Sequence, residues 1–348
     1  MYLDHAATTR LRPEARAAME EGFDLWANPS SPHAEGRRAK QVLEDARARV
    51  KAALDWDGEV IFTSGASEAS TMALGQAKAG ARLVSAVEHD AVLRAAPQAE
   101  RLPVLADGAL DLDILAEASA RETPLVAVQQ LNSETGNRQD LAAIGAIVHE
   151  AGGLLLADCA QSAGKLPIPD AADMAIVSAH KFGGPIGIGA LLLRDFAMLE
   201  PAGGQERGYR RGTENLPGAL GMTAALEAAK GLYLSPAVLT ADEALASAVR
   251  SEDGDWLADR LSNPTAFIRA MAKPAMSAQA QLMRLDMLGF AVSQGSACSS
   301  GTMKASPVLQ AMGVPGDAAQ RSIRVSYGWD TVADEVERFT EAWVGLGQ

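Results

Sequence analysis

The sequence predicts an α/β fold, with a mostly parallel sheet between helices in a large domain and a smaller C-terminal α+β domain after it. Three observations lead there. Short apolar runs alternate with helical patterns between residues 59 and 193. The runs near the middle of the chain end on polar residues. After Pro217 the pattern changes, and the chain becomes helix-rich and alanine-rich to about Arg260. In open α/β sheets ligands bind beyond the carboxyl ends of the strands, so function is sought at the ends of the apolar runs.

Taken in order, residues 2–9 read as a short, turn-like arm. Residues 13–25 read as a helix with proline in its first turn. The loop Asn28-Pro29-Ser30-Ser31-Pro32 leads to a long amphipathic helix over 33–54. Residues 59–63 form a strand pattern, and Ser64-Gly65-Ala66-Ser67-Glu68 turns into a helix reaching about Ala79. Further strands are expected at 82–86, 124–128, 154–157, 174–177 and 190–193. A helix carrying Leu141, Ile144, Ile147 and Val148 on one face closes at Gly152-Gly153. The last elements are a strand over 322–326 and a helix from about Val332. These patterns suggest a large domain over 12–238 and a small one made of 1–11 and 239–348.

Composition removes several function classes. The 348 residues carry a net charge of -13, and no basic run appears, so a nucleic-acid partner is not expected. No run approaches membrane-spanning length, and the N-terminus lacks a charged-then-apolar signal pattern. Two cysteines, Cys159 and Cys298, exclude a disulfide framework and fit a reducing cytoplasm. The five histidines show no zinc-ligand spacing.

The strand ends hold the chemistry. The run 174–177 ends in Ser178-Ala179-His180-Lys181, followed by Gly183, Gly184, Gly187 and Gly189. Lys181 either reaches solvent from a loop or is desolvated into an amine nucleophile able to hold an aldehyde. Ser64 and Gly65, His89, Asn132 and Asp158 end the other runs. A lysine for an aldehyde, an aspartate for a protonated ring nitrogen, a histidine to stack on a flat ring and a helix start for a phosphate together describe a site for pyridoxal phosphate. No Gly-Lys-Ser/Thr ending and no Gly-x-Gly-x-x-Gly competes with that reading. Cys298 lies in a glycine- and serine-rich loop, as an accessible thiol would, whereas Cys159 follows a wholly apolar strand and reads as inert.

The chain resembles the class V aminotransferase family, and specifically the cysteine desulfurases. The resemblance runs through residues 2–9, Asn28-Pro29-Ser30-Ser31, residues 62–68, Val87-Glu88-His89, Asn132-Ser133-Glu134-Thr135-Gly136 and residues 157–162. It continues through the lysine stretch, residues 204–207, Arg211-Gly212-Thr213-Glu214-Asn215 and Gly295-Ser296-Ala297-Cys298. It implies a fold-type-I pyridoxal phosphate homodimer acting on L-cysteine. Lys181 would carry the cofactor, His89 would stack on its ring, Asp158 would pair with the ring nitrogen and Gln161 with the phenolic oxygen. Asn132 would add a polar contact. Ala66, Ser67, Ser178 and His180 would hold the phosphate, with Thr213 arriving from the partner subunit. Arg324 and Asn28 would bind the substrate. Cys298 would take the sulfur as a persulfide and pass it to an acceptor protein, in the manner of the longer, mobile-loop group.

The chain departs from the family pattern at Ser133, where Asn is usual, and at Ile186, where Lys is usual. Residues 233–260 are short, and Arg260-Leu261-Ser262-Asn263 matches loosely. Two other readings stand beside the desulfurase: a pyridoxal phosphate transaminase or a cysteine or selenocysteine lyase in which Cys298 is incidental, and a non-catalytic scaffold. The acceptor could serve iron–sulfur clusters, a thiolated tRNA, a cofactor or a dedicated metalloenzyme.

Overall fold

A computed structural model describes residues 1–120, 123–295 and 306–347. Its larger sheet holds β1 (Glu59–Thr63), β2 (Arg82–Ser85), β3 (Glu100–Leu102), β4 (Leu125–Gln129), β5 (Leu154–Asp158), β6 (Met174–Ser178) and β7 (Gly189–Leu193). The spatial order is β1-β7-β6-β5-β4-β2-β3. Pairing is parallel from β3 through β6, and β7 runs antiparallel to both β6 and β1. The carboxyl ends of the other six strands therefore share one edge of the sheet.

Strands β4, β6 and β7 are buried along their whole length, as strands covered on both faces must be. Alternate residues of β4 feed two cores. Val126 and Val128 pack with α1 (Pro13–Asp24), α2 (Ala34–Leu54) and residues of later helices, while Leu125 and Ala127 pack with α3 (Ala66–Gln76) and α4 (Asp90–Ala95). The first core also takes in α5 (Leu112–Ser119), α6 (Leu141–Glu150) and α7 (Leu216–Ala228).

The connection 179–188 joins antiparallel neighbours, so it needs no crossover helix. Gly189 has to be glycine, because a Cβ there would lie 2.5 Å from the Val177 carbonyl oxygen and 2.8 Å from Gly65 Cα. That approach sets the lysine loop and the start of α3 on one rim. Segment 204–213 is fixed differently. Glu206 and Arg207 adopt φ of 48° and 56°, a strain of about 1–3 kcal/mol each. Glu206 is buried, pairs with Arg47 at 2.7 Å and accepts from the Phe62 N–H at 3.0 Å. Removing one partner of such a buried pair costs about 3–5 kcal/mol, comparable to the strain of the two residues together.

A second sheet, β10-β9-β8, is antiparallel and consists of β8 (Asp255–Trp256), β9 (Ile268–Ala272) and β10 (Ser322–Ser326). Its core joins Leu3 to Tyr233, Leu245, Met271, Phe339 and Trp343. The arm is more than turn-like. Leu3 donates to the Ala291 carbonyl at 2.9 Å and accepts from the Ser326 N–H at 2.8 Å, so the chain turns only over residues 5–7. Strands β3, β8 and β9 are absent from the sequence reading because two are very short and Arg269 interrupts the apolar run of the third.

Candidate active site

A cavity of about 600 Å³ opens at the strand ends. Asp158, the last residue of β5, is 7% exposed and accepts from the Ala160 N–H at 2.9 Å. Burial raises its pKa, against the pull of that N–H, His89 and Lys181. A cation in the cavity would meet a carboxylate already poised for it. His89 caps α4 through Nδ1, which accepts from the Ala91 N–H at 3.1 Å, so Nε2 carries the proton of the neutral ring. Burial lowers its pKa and keeps the ring neutral.

Lys181 Nζ donates to the Ala6 and Ala7 carbonyls at 2.6 and 2.9 Å. Gln161 Nε2 donates to the same Ala6 carbonyl at 2.7 Å, and its Oε1 is buried without a partner. The N-terminal arm therefore supplies the backbone that holds both residues, a role the sequence reading missed because alanine carbonyls leave no side-chain signal. His180 Nδ1 lies 3.1 Å from the Thr8 hydroxyl. Burial first, then Lys181 and Lys165, bring its pKa down to about 4. Ser178 lies beside it in the wall. Across the cavity Gly65, Ala66 and Ser67 open α3, which no side chain caps. Its first N–H groups and the helix dipole favour an anion.

Arg324 reaches the cavity from the middle of β10. It is 3% exposed and donates to the Ser133 carbonyl at 2.9 Å, Asp4 at 2.8 Å and the Ser293 hydroxyl at 3.1 Å. Its Nε has no partner. Ile186, at the usual lysine position, lines the same cavity and is 76% exposed.

Three sequence candidates lie elsewhere. The Asn132 side chain does not line the cavity. It donates to the Val87 carbonyl at 3.2 Å and accepts from the Glu134 and Thr135 N–H groups at 2.9 Å each. Asn28 and Thr213 line a second cavity of about 470 Å³, with Trp26 and Asn215. Cys298 falls outside the described residues. Cys159 is fully buried, and burial pushes its thiol up. Glu88 is a further residue without an assigned role. It is buried, accepts from the Gln129 N–H at 2.6 Å, and has one oxygen unpartnered. Among the described residues no cluster suits a metal ion.

The sequence profile for aminotransferase class-V matches residues 1–339. The chain belongs to that family. Relatives include a cysteine desulfurase of Cereibacter sphaeroides, 38% identical over 98% of this chain and 94% of its own. Another, from Rhodobacter capsulatus, is 38% identical over 97% and 94%. Among solved structures, a NifS-like protein from Rickettsia africae superposes with a TM-score of 0.90 at 28% identity, covering 100% of this chain and 99% of its own. SspA in complex with cysteine gives 0.82 at 27%, covering 95% and 99%. The family is pyridoxal-phosphate-dependent, and the fold is that of a fold-type-I enzyme. The residues present fit the group: an anion site at α3, the buried carboxylate of Asp158, the unpartnered Gln161 Oε1 and the Lys181 amine surround one cavity. No helix among the described residues is long and apolar enough to cross a membrane.

Proposed function

We propose that the chain is a cysteine desulfurase that binds L-cysteine, takes its sulfur onto Cys298 and releases L-alanine. The observation that carries this is the convergence of Lys181, Asp158, His89, Gln161 and Arg324 on one cavity from four separate parts of the sequence. Lys181 would hold pyridoxal phosphate, Asp158 would keep its ring nitrogen protonated, and His89 would cover one ring face. Gln161 would face the phenolic oxygen, and Ala66, Ser67, Ser178 and His180 would receive the phosphate. Bound there, the cofactor supplies an electron sink for bond breaking at the amino acid. Arg324 fits the substrate carboxylate through its guanidinium fork. In the transfer, the carbon–sulfur bond of cysteine breaks and a sulfur–sulfur bond forms on Cys298. Cysteine and the enzyme thiol become alanine and an enzyme persulfide, with no external oxidant.

The working unit in this reading is a homodimer. Asn28 and Thr213 are both exposed and line a cavity apart from the first, beside Trp26, 77% exposed and stacked on Phe23 at 6.0 Å. A second chain would carry Thr213 to the phosphate and Asn28 to the substrate. Residues 12–238 would form the cofactor domain, with 1–11 and 239–348 the small domain. A separate core joining Leu3 to Leu245 and Trp343 supports the division, and because that core also takes in Tyr233, Leu234 and Val238 it draws the boundary a few residues earlier, before Tyr233. The persulfide passes to an acceptor protein, iron–sulfur cluster assembly being one destination, in the reducing cytoplasm.

Incubation with L-cysteine and a thiol reductant tests the reaction. Sulfide and alanine are expected in equal amounts. Alanine-free turnover to pyruvate, or no sulfide at all, would contradict it and favour a lyase or transaminase.

A further inference from the structure

The turn Asn132-Ser133-Glu134-Thr135-Gly136 has two faces. Its shape is set from within, since Asn132 Oδ1 accepts from the N–H groups of Glu134 and Thr135 and from the Thr135 hydroxyl at 3.1 Å. On the cavity side the Ser133 carbonyl accepts from Arg324 Nη1. On the other side the Glu134 carboxylate, 6% exposed, accepts from the Ser306 hydroxyl. Gly295 lies against the same carboxylate. A Cβ there would be 3.0 Å from Glu134 Oε2, and its φ is +55°.

Gly295 and Ser306 are the described residues that bracket segment 296–305, within which Cys298 lies. Just before Gly295, Ser293 exchanges backbone hydrogen bonds of 3.2 and 2.6 Å with Arg324, besides its hydroxyl contact to that guanidinium. One carboxylate thus meets both ends of the segment, next in sequence to the carbonyl that holds Arg324. Burial pushes the Glu134 carboxyl up, against the Ser306 hydrogen bond and Arg324. A buried carboxylate is a costly device if holding the fold is its only task, because apolar packing can replace it without the desolvation penalty.

We propose that Glu134 is a positioning residue for sulfur transfer: it sets the spacing between the two ends of the Cys298 segment and ties that spacing to Arg324. The proposal rests on the reading of Cys298 as the nucleophile. Glu134 does not line the cavity, and its part in the transfer runs through its contacts with Gly295 and Ser306. A misplacement of about 1 Å costs about 100-fold in rate.

Holoenzymes carrying Glu134→Ala, Glu134→Gln or Ser306→Ala are given L-cysteine without reductant for a single turnover. The cofactor absorbance change reports substrate binding, and mass spectrometry reports persulfide on Cys298. In Glu134→Ala the absorbance change should keep its parent dependence on L-cysteine, while persulfide formation slows by about 10- to 100-fold. Glu134→Gln keeps an acceptor for Ser306 and should recover most of the rate. Ser306→Ala should be slow, and the double variant with Glu134→Ala no slower than the worse single one, as residues acting through one contact behave. In the apoproteins, hydrogen exchange over 290–295 and 306–312 should rise in Glu134→Ala and not in Glu134→Gln. Persulfide formation at the parent rate in folded Glu134→Ala overturns the proposal, as does an equal fall in both readouts. If Glu134→Ala does not fold, a parent rate in Ser306→Ala overturns it alone. No persulfide on Cys298 in the parent protein overturns the underlying reading, and the proposal with it, and the parent control tells the two failures apart.

Discussion

The larger cavity draws most of its polar wall from strand ends within one chain, whereas the second gathers Asn28 and Thr213 from loops at the end of α1 and before α7. In the first, parallel pairing places the carboxyl ends of β2, β5 and β6 along one edge, and the residues there are largely buried and hydrogen-bonded. In the second, the polar side chains are exposed and stand beside an exposed aromatic pair. A sheet can complete a site by its own topology, but a loop residue of this kind is completed by whatever covers it. The contrast separates what one chain builds from what the proposed dimer adds.

The largest expected effect breaks the comparison directly. Lys181→Ala and Thr213→Ala chains are prepared separately, then mixed and refolded together. Lys181→Ala alone should be inactive, and Thr213→Ala alone should lose cofactor on dialysis. The mixture should regain desulfurase activity, because one of its two sites combines an intact Lys181 with an intact Thr213 of the other chain. No recovery would show that Thr213 serves its own chain or serves none.

A smaller effect sharpens the account of the strand-end wall. Burial and Asp158 hold the Glu88 carboxyl well above its usual range. Asp158, Arg101 and the Gln129 N–H are the groups that act on it. The folded chain keeps a proton that the unfolded chain releases above about pH 4.3. Stability therefore falls as pH rises from there toward the folded value. Glu88→Gln removes that loss while keeping an acceptor for Gln129. Apoprotein melting temperatures should coincide with the parent near pH 4 and exceed it by about 2–4 °C at pH 8. A difference that does not change with pH would contradict a buried neutral Glu88.

The strand-end residues were legible because each follows an apolar run, and a parallel sheet turns such sequence positions into one spatial edge. Asp158, His89 and Lys181 needed no more than that. Thr213, Arg324 and Asn28 rested on resemblance, since no local pattern distinguishes them from surface residues. Asn132 satisfied the same strand-end rule, yet its carboxamide is used within its own turn, a contest that sequence position does not reveal. Glu134 and the Ala6 carbonyl were invisible as functional groups: one acts through residues far along the chain, the other through backbone. Strands β3, β8 and β9 were lost because very short strands and an interrupting arginine leave too little periodicity to read.

The central claim is that sulfur passes to Cys298 after the cofactor site has bound L-cysteine, and the two cysteines test it most directly. Cys298→Ser and Cys159→Ser holoenzymes are mixed with L-cysteine and reductant, and the cofactor spectrum and released sulfide are followed together. Serine keeps the shape of the side chain but is a far weaker nucleophile at neutral pH. Cys298→Ser should still change the cofactor spectrum and release almost no sulfide, while Cys159→Ser, altered at a buried inert thiol, should keep most of the activity. Sulfide released at the parent rate by Cys298→Ser, or lost only in a folded, cofactor-loaded Cys159→Ser, would contradict the account.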